Sequence, residues 1–118
     1  MLARHYRLRR NEDFQKVYKR GKSYGGQYVV LYRLQPRLPD IPSCRRFGFS
    51  VSSKVGKANV RNRVKRMLRE ICRRHGLRAD DGSDIILIAR SKIKGIPFRQ
   101  VEQDVIKLFK RAKLGPGG

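Results

Sequence analysis

The sequence predicts an α+β sandwich-like fold, one central β-sheet packed with about three helices, and three observations point there. The first is the element order helix, strand, strand, helix, strand, helix, read from where the apolar spacing switches between periods of 3.6 and 2. The second is residues 54–74, KVGKANVRNRVKRMLREICRR, in which Val60, Val64, Met67, Leu68, Ile71 and Cys72 fall on one face of a helix. The third is DIILIAR, residues 84–90, apolar at successive positions as in a strand covered on both sides.

Taken in order, residues 1–10 carry Arg4, Arg7, Arg9 and Arg10 without an acid and read as a flexible basic arm. Asn11 suits an N-cap, and Glu12 and Asp13 suit the positive end of a helix over 12–20, which Gly21 stops. Gly25-Gly26 turns the chain into QYVVLYRL, a strand with Tyr28, Val30, Tyr32 and Leu34 on one face. QPRLPDIPSC is a proline-rich loop, and its part 36–42 carries no functional expectation. RFGFSVS alternates Phe47, Phe49 and Val51 with Gly48, Ser50 and Ser52, and the small residues leave room for close approach. The loop 53–57 leads into the Arg-rich helix, which Gly76 ends. Asp80 to Ser83 make a turn before DIILIAR. Pro97 suits the first position of a last helix, whose stripe is Phe98, Val101, Val105, Ile106, Leu108, Phe109 and Ala112. Residues 114–118 are a flexible tail.

The length of 118 residues suits one domain with one modest core. The formal net charge is +21, from 30 Lys+Arg against 9 Asp+Glu, which repels itself unless a polyanion neutralises it. Nucleic acid is the foremost partner, and the chain 1–118 is read as a single RNA-binding domain. No apolar run approaches the roughly 20 residues of a membrane span. The N-terminus lacks the apolar segment of a secretory signal, so a cytoplasmic location is expected and no membrane partner. Cys44 and Cys72 predict no disulfide, and with His5 and His75 they share no zinc-ligand spacing.

Between residues 54 and 78 ten basic residues meet one acid, Glu70. A merely solvated helix face gains from mixed signs, and this one forgoes them. Asn62, Lys65, Arg66, Arg69 and Arg73 collect opposite the apolar stripe, with Arg61 and Arg63 on its borders and Lys54 and Lys57 on the loop before it. That is a phosphate-binding footprint. The aromatics Phe14, Tyr18, Tyr28 and Tyr32 have two readings, core or an open groove in which a ring stacks on an unpaired base; periodicity does not choose between them. Catalysis by the chain itself would need carboxylates gathered on a metal. Asp80, Asp81 and Asp84 form the tightest acidic group, and a solvated turn explains them better. No protein active site is expected.

These segments resemble the protein component of bacterial ribonuclease P. The resemblance is centred on GKANVRNRVKRMLRE (Gly56 to Glu70), similar to the family's Arg-Asn-Arg signature. It extends to LRRNEDFQKVYKRGKS (Leu8 to Ser23), FGFSVSSKVGKA (Phe47 to Ala58) and DIILIAR (Asp84 to Arg90), in order and over nearly the whole chain. It implies a ribonucleoprotein endoribonuclease in which RNA, with magnesium, removes the 5′ leader of precursor tRNA. No cofactor is then expected on the protein alone, and no obligate protein partner. The role against the catalytic RNA passes to Lys54, Arg61, Asn62, Arg63, Lys65, Arg66 and Arg69, to which the charge footprint adds Lys57 and Arg73. The leader cleft corresponds to Phe14, Tyr18 and Tyr32, and the open face of the sheet adds Tyr28 and Ser50. Position 18 is Tyr where Phe is common, a change that keeps stacking. General connection rules favour a right-handed crossover from RFGFSVS to DIILIAR if the two are parallel; the resemblance implies a left-handed one. The rival readings are a general RNA-binding or ribosomal protein and a self-sufficient metal nuclease.

Overall fold

The computed structural model describes residues 7–35, 45–76 and 82–113. Its elements are α1 (Asn11–Arg20), β1 (Lys22–Gly25), β2 (Val29–Leu34), β3 (Arg46–Ser50), α2 (Ala58–His75), β4 (Asp84–Ala89), a 3₁₀ turn at Ser91–Ile93 and α3 (Phe98–Arg111). The sheet runs β1-β2-β4-β3. β2 is antiparallel to both β1 and β4, and β3 is parallel to β4.

β4 is central because its side chains are apolar in both directions. Ile85, Ile86 and Leu87 are fully buried, as expected of a strand covered on both faces. On one face, Ile85, Leu87 and Ala89 join Val29, Leu31 and Phe47 beneath α2 and α3. α2 brings Val64, Leu68, Ile71 and Cys72, and α3 brings Val101, Val105, Leu108 and Phe109. On the other face Ile86, Leu8 and Val17 form a smaller core under α1, flanked by the half-buried Phe14, Tyr18, Tyr32, Leu34 and Ile88. Two helices thus cover one side of the sheet and one short helix covers part of the other.

Several details depart from expectation. β1 was not foreseen, because Lys22-Ser23-Tyr24-Gly25 is short and three of its four residues are exposed. A short, charged strand is typical of a sheet edge and carries little apolar alternation. Arg10 rather than Asn11 precedes α1, with no side-chain cap, and Pro97 precedes α3 rather than beginning it. The basic arm is docked from Arg7 onward: Arg7 bridges to Phe47, the Leu8 N–H donates to the Phe47 carbonyl at 2.7 Å, and Leu8 is buried. Leu8, hidden among arginines, is a core residue. Ile106 remains half-buried beside the α3 stripe. The tail 114–118, the proline-rich loop 36–42, His5, Cys44, Asp80 and Asp81 lie outside the described residues.

Arginines of this very basic chain also serve the fold. Arg45 is 2% exposed and its Nη1 donates to the Gly76 carbonyl at 2.9 Å, closing the negative end of α2. Arg33 does the same for α3, its Nη1 donating to the Ala112 carbonyl at 3.1 Å. Arg46 grips Asp84 with two bonds of 2.9 and 2.8 Å. At Gly76, just after α2, a Cβ would fall 2.6 Å from the Phe47 ring; its backbone is right-handed, so close packing rather than a left-handed turn requires the glycine.

Candidate nucleic-acid interface

Helix α2 sorts its polar residues into three rows, as a turn of about 100° per residue demands. Arg61, Lys65 and Arg69, four apart, are half-buried along the side toward β3 and the arm. Asn62 and Arg66 are exposed on the crest, and Lys54 and Lys57 are exposed on the loop before the helix. Arg63, Glu70 and Arg74 lie on the remaining border, toward α3, where Arg74 reaches Glu102 at 3.5 Å and stacks over Phe98 at 5.0 Å. His75 also meets Glu102, at 2.9 Å.

Glu70, the single acid of this helix, has a defined use. It accepts from Arg73 at 2.8 and 2.6 Å and from Arg74 at 3.1 Å. The Arg73 hydrogen bond, more than any other influence, holds the Glu70 carboxyl at about 2. Of the predicted phosphate-binding residues, Arg73 is therefore the one already paired within the helix. By contrast, the Nε atoms of Arg61 and Arg69 are buried without a hydrogen-bond partner. Burial, and then the charge of Arg7, lower the Arg69 pKa.

The aromatic groove lies on the opposite face of the sheet. Phe14 and Tyr18 project from one side of α1, being four apart, and Tyr32 rises from β2. The Phe14 and Tyr18 ring centres are 6.3 Å apart, and those of Tyr18 and Tyr32 are 5.2 Å apart with planes at 84°, both edge-to-face. Tyr18 is hydrogen-bonded to Ser50, and its pKa is raised, chiefly by burial. Gly48 is where the close approach foreseen for β3 happens. A Cβ there would fall 2.5 Å from Phe14 Cζ, so the glycine admits an internal ring. Phe14, Tyr18, Tyr32 and Ser50 are thus brought together, each half-buried.

Tyr28 is not with them, which corrects the expected strand alternation. It precedes β2, and its ring packs against the α2–α3 side, where its hydroxyl donates to Gln100 at 3.4 Å. The Asp104 carboxylate accepts the backbone N–H groups of Gln27, Tyr28 and Val29 at 2.9, 2.9 and 3.2 Å. This clasp turns the chain before the ladder begins, so the two-residue period does not reach back to Tyr28. Sequence reasoning also missed that Arg7 and Arg9 sit beside Lys65 and Arg69, a juxtaposition without any local signal.

Among the described residues no group of three or more His, Cys, Asp or Glu side chains could hold a metal ion. Asp84, proposed for a nuclease site by the rival reading, is bound by Arg46. Cys72 is fully buried and its thiol pKa is pushed well up by that burial. Among the described residues no helix is long and apolar enough to cross a membrane.

Comparison with known proteins agrees over nearly the whole length. The family model described as Ribonuclease P matches residues 2–113. The ribonuclease P protein component of Alkaliphilus oremlandii is 39% identical over 108 residues, covering 92% of this chain and 91% of that one. That of Desulforamulus reducens is 44% identical over 96 residues, 81% of each. The structure of the RNase P protein of Staphylococcus aureus superposes with a TM-score of 0.80 at 35% identity, covering 94% of this chain and 98% of that one. That of Thermotoga maritima gives 0.75 at 35%, covering 89% and 96%.

Proposed function

Because the chain belongs to the ribonuclease P protein family, we propose that it is the protein subunit of a tRNA-processing ribonucleoprotein that binds the catalytic RNA and the 5′ leader of precursor tRNA. The observation that carries this reading is the continuity of two unlike surfaces. The crest of α2 with Asn62 and Arg66, the bordering Arg63, and Lys54 and Lys57 on the preceding loop offer cations and one amide for the phosphates of a folded RNA. The row Arg61–Lys65–Arg69 then leads round the β3 edge to Phe14, behind which Tyr18 and Tyr32 offer ring edges and faces for an unpaired strand. Folded RNA and single-stranded leader call for those two chemistries.

In this reading the protein positions and does not cut. Its side chains neutralise phosphates, hold the leader extended across the sheet, and leave the cleavage of the phosphodiester to the RNA. Magnesium belongs to the RNA-containing particle, and no side chain of this chain is assigned to it. The two surfaces are separable by experiment. In the reconstituted particle, Tyr32→Ala should weaken precursor binding about tenfold or more, since one base stack is worth about 1–3 kcal/mol. It should leave leaderless tRNA binding and particle assembly alone, whereas Arg66→Ala should weaken assembly. Loss of assembly by Tyr32→Ala with leader affinity intact would overturn the assignment.

A further inference from the structure

Four cations, Lys22, Arg90, Lys107 and Arg111, gather where β1 meets the C-terminal half of α3. Arg111 Nη1 donates to the Gly25 carbonyl at 2.7 Å, and its guanidinium lies over the Tyr24 ring, 5.8 Å from the ring centre. The Lys22 ammonium lies over the same ring at 5.7 Å. Arg90 closes on Gly25 as well, since a Cβ there would fall 3.1 Å from its Nη2. Lys107 is exposed on the row of α3 that also carries Asp104 and Arg111. Asp104 is the carboxylate of this corner, and it accepts the backbone N–H groups of Gln27, Tyr28 and Val29. The other acid of α3, Glu102, is held by Arg74 and His75 of α2. Cations therefore outnumber acids at the corner, and such a cluster repels itself until an anion enters. The bond to a neutral carbonyl orients Arg111 without discharging it, and its other donors stay available.

The chemistry of the corner selects a backbone rather than a base. Tyr24 is half-buried with two cations over its ring, and Gly25 and Gly26 beside it have no side chain, so no aromatic face is offered for stacking. Guanidinium and ammonium groups without a stacking partner suit phosphate oxygens. Phosphates with the bases turned inward are what a base-paired RNA presents. The position is also distinct from the surfaces already described: β1 is the sheet edge opposite β3, about 14 Å away, and α3 packs beside it. We propose that the β1–α3 corner is a second RNA-binding surface, which takes the phosphate backbone of a base-paired RNA segment on Lys22, Arg90, Lys107 and Arg111. One chain thereby staples two RNA elements, one at each edge of the sheet. This rests on the RNA-binding reading above, and it draws on neither the α2 crest nor the aromatic groove.

The test uses the full chain, isotope-labelled and without the catalytic RNA. A short blunt RNA duplex is titrated against wild type, against the crest variant Arg63→Gln/Arg66→Gln, and against the corner variant Arg90→Gln/Lys107→Gln. Arg90 and Lys107 are exposed and make no side-chain bond among the described residues, so their replacement leaves the fold intact. The crest variant should still bind the duplex and move the amides of residues 22–25, 90, 107 and 111. The corner variant should lose those movements while keeping the ones at the crest. Its affinity at the corner should fall about tenfold or more, and the slope of log affinity against log salt should become shallower by about two. Arg111→Gln alone should make the slope shallower by about one, which covers the case of a corner variant that does not fold. A single-stranded RNA of the same length, or vesicles rich in anionic lipid, should move the corner amides at least tenfold more weakly than the duplex. Wild-type binding by both corner substitutions, loss of all duplex binding by the crest variant, or corner binding by single strand or vesicles as tight as by the duplex would each overturn the proposal. A wild-type chain that binds no RNA at all would overturn the RNA-binding reading, and the proposal with it.

Discussion

Glu70 illustrates how much one residue decides on a helix this basic. Its carboxyl is held at about 2, below its ordinary 4.5, first by the Arg73 hydrogen bond and further by Arg74. A carboxylate with a lower pKa in the folded chain stabilises the fold above its unfolded pKa, and that contribution fades as pH falls toward the folded value. Wild type and Glu70→Gln should therefore converge in stability between about pH 4.5 and 2 and differ modestly above it, the pair being exposed and screened by salt. Denaturant titrations at stepped pH would check this. The same substitution releases Arg73, while Arg74 keeps Glu102, so nonspecific RNA affinity should rise. Gly48 makes the complementary point on the other face. Gly48→Ala must displace the Phe14 ring, which should cost about 1–3 kcal/mol and loosen leader binding as the groove changes shape.

At the scale of elements, β4 and the stripes of α2 and α3 were legible because their periodicity is strong and their neighbours agree with it. Val64, Leu68, Ile71 and Cys72 are buried as their spacing required. β1 was not legible, since an edge strand of four mostly exposed residues carries no periodic signal. Nor was the displacement of Tyr28 from the groove, which depends on Asp104, 76 positions away in the chain. Arg45 is the sharpest instance. Nothing in the sequence sets it apart from its neighbour Arg46, yet it is buried against the Gly76 carbonyl at the end of α2. Arg45→Met should leave that carbonyl without its partner and destabilise the fold by about 1–3 kcal/mol, measured as a lower denaturation midpoint. Its effect on RNA affinity, once folded, should be small compared with Arg66→Ala.

For the whole molecule, the distribution of charge matters more than its total. Arg33, Arg45, Arg46 and Arg73 are engaged with the protein's own carbonyls and carboxylates, while Lys54, Lys57, Arg63 and Arg66 stand exposed on α2 and the loop before it. If about six phosphates are neutralised, affinity for the RNA should fall by roughly two to three decades between 50 and 200 mM salt. A shallow dependence would mean that the α2 crest is not the contact. The fold was readable at the level of α+β class and helix count, and the family at the level of motif. The joining of arm, helix and groove around one sheet edge emerges only from the assembled chain, because the residues that meet there come from positions 7 to 69.

The central claim is that this protein assists an RNA catalyst without being one. The most direct measurement follows precursor tRNA incubated with the chain alone, with bacterial ribonuclease P RNA alone at low magnesium, and with both. Correct 5′ cleavage confined to the mixture, or far faster there, is the result expected. Cleavage by the chain alone, or an RNA-only rate that the chain does not raise, would contradict it.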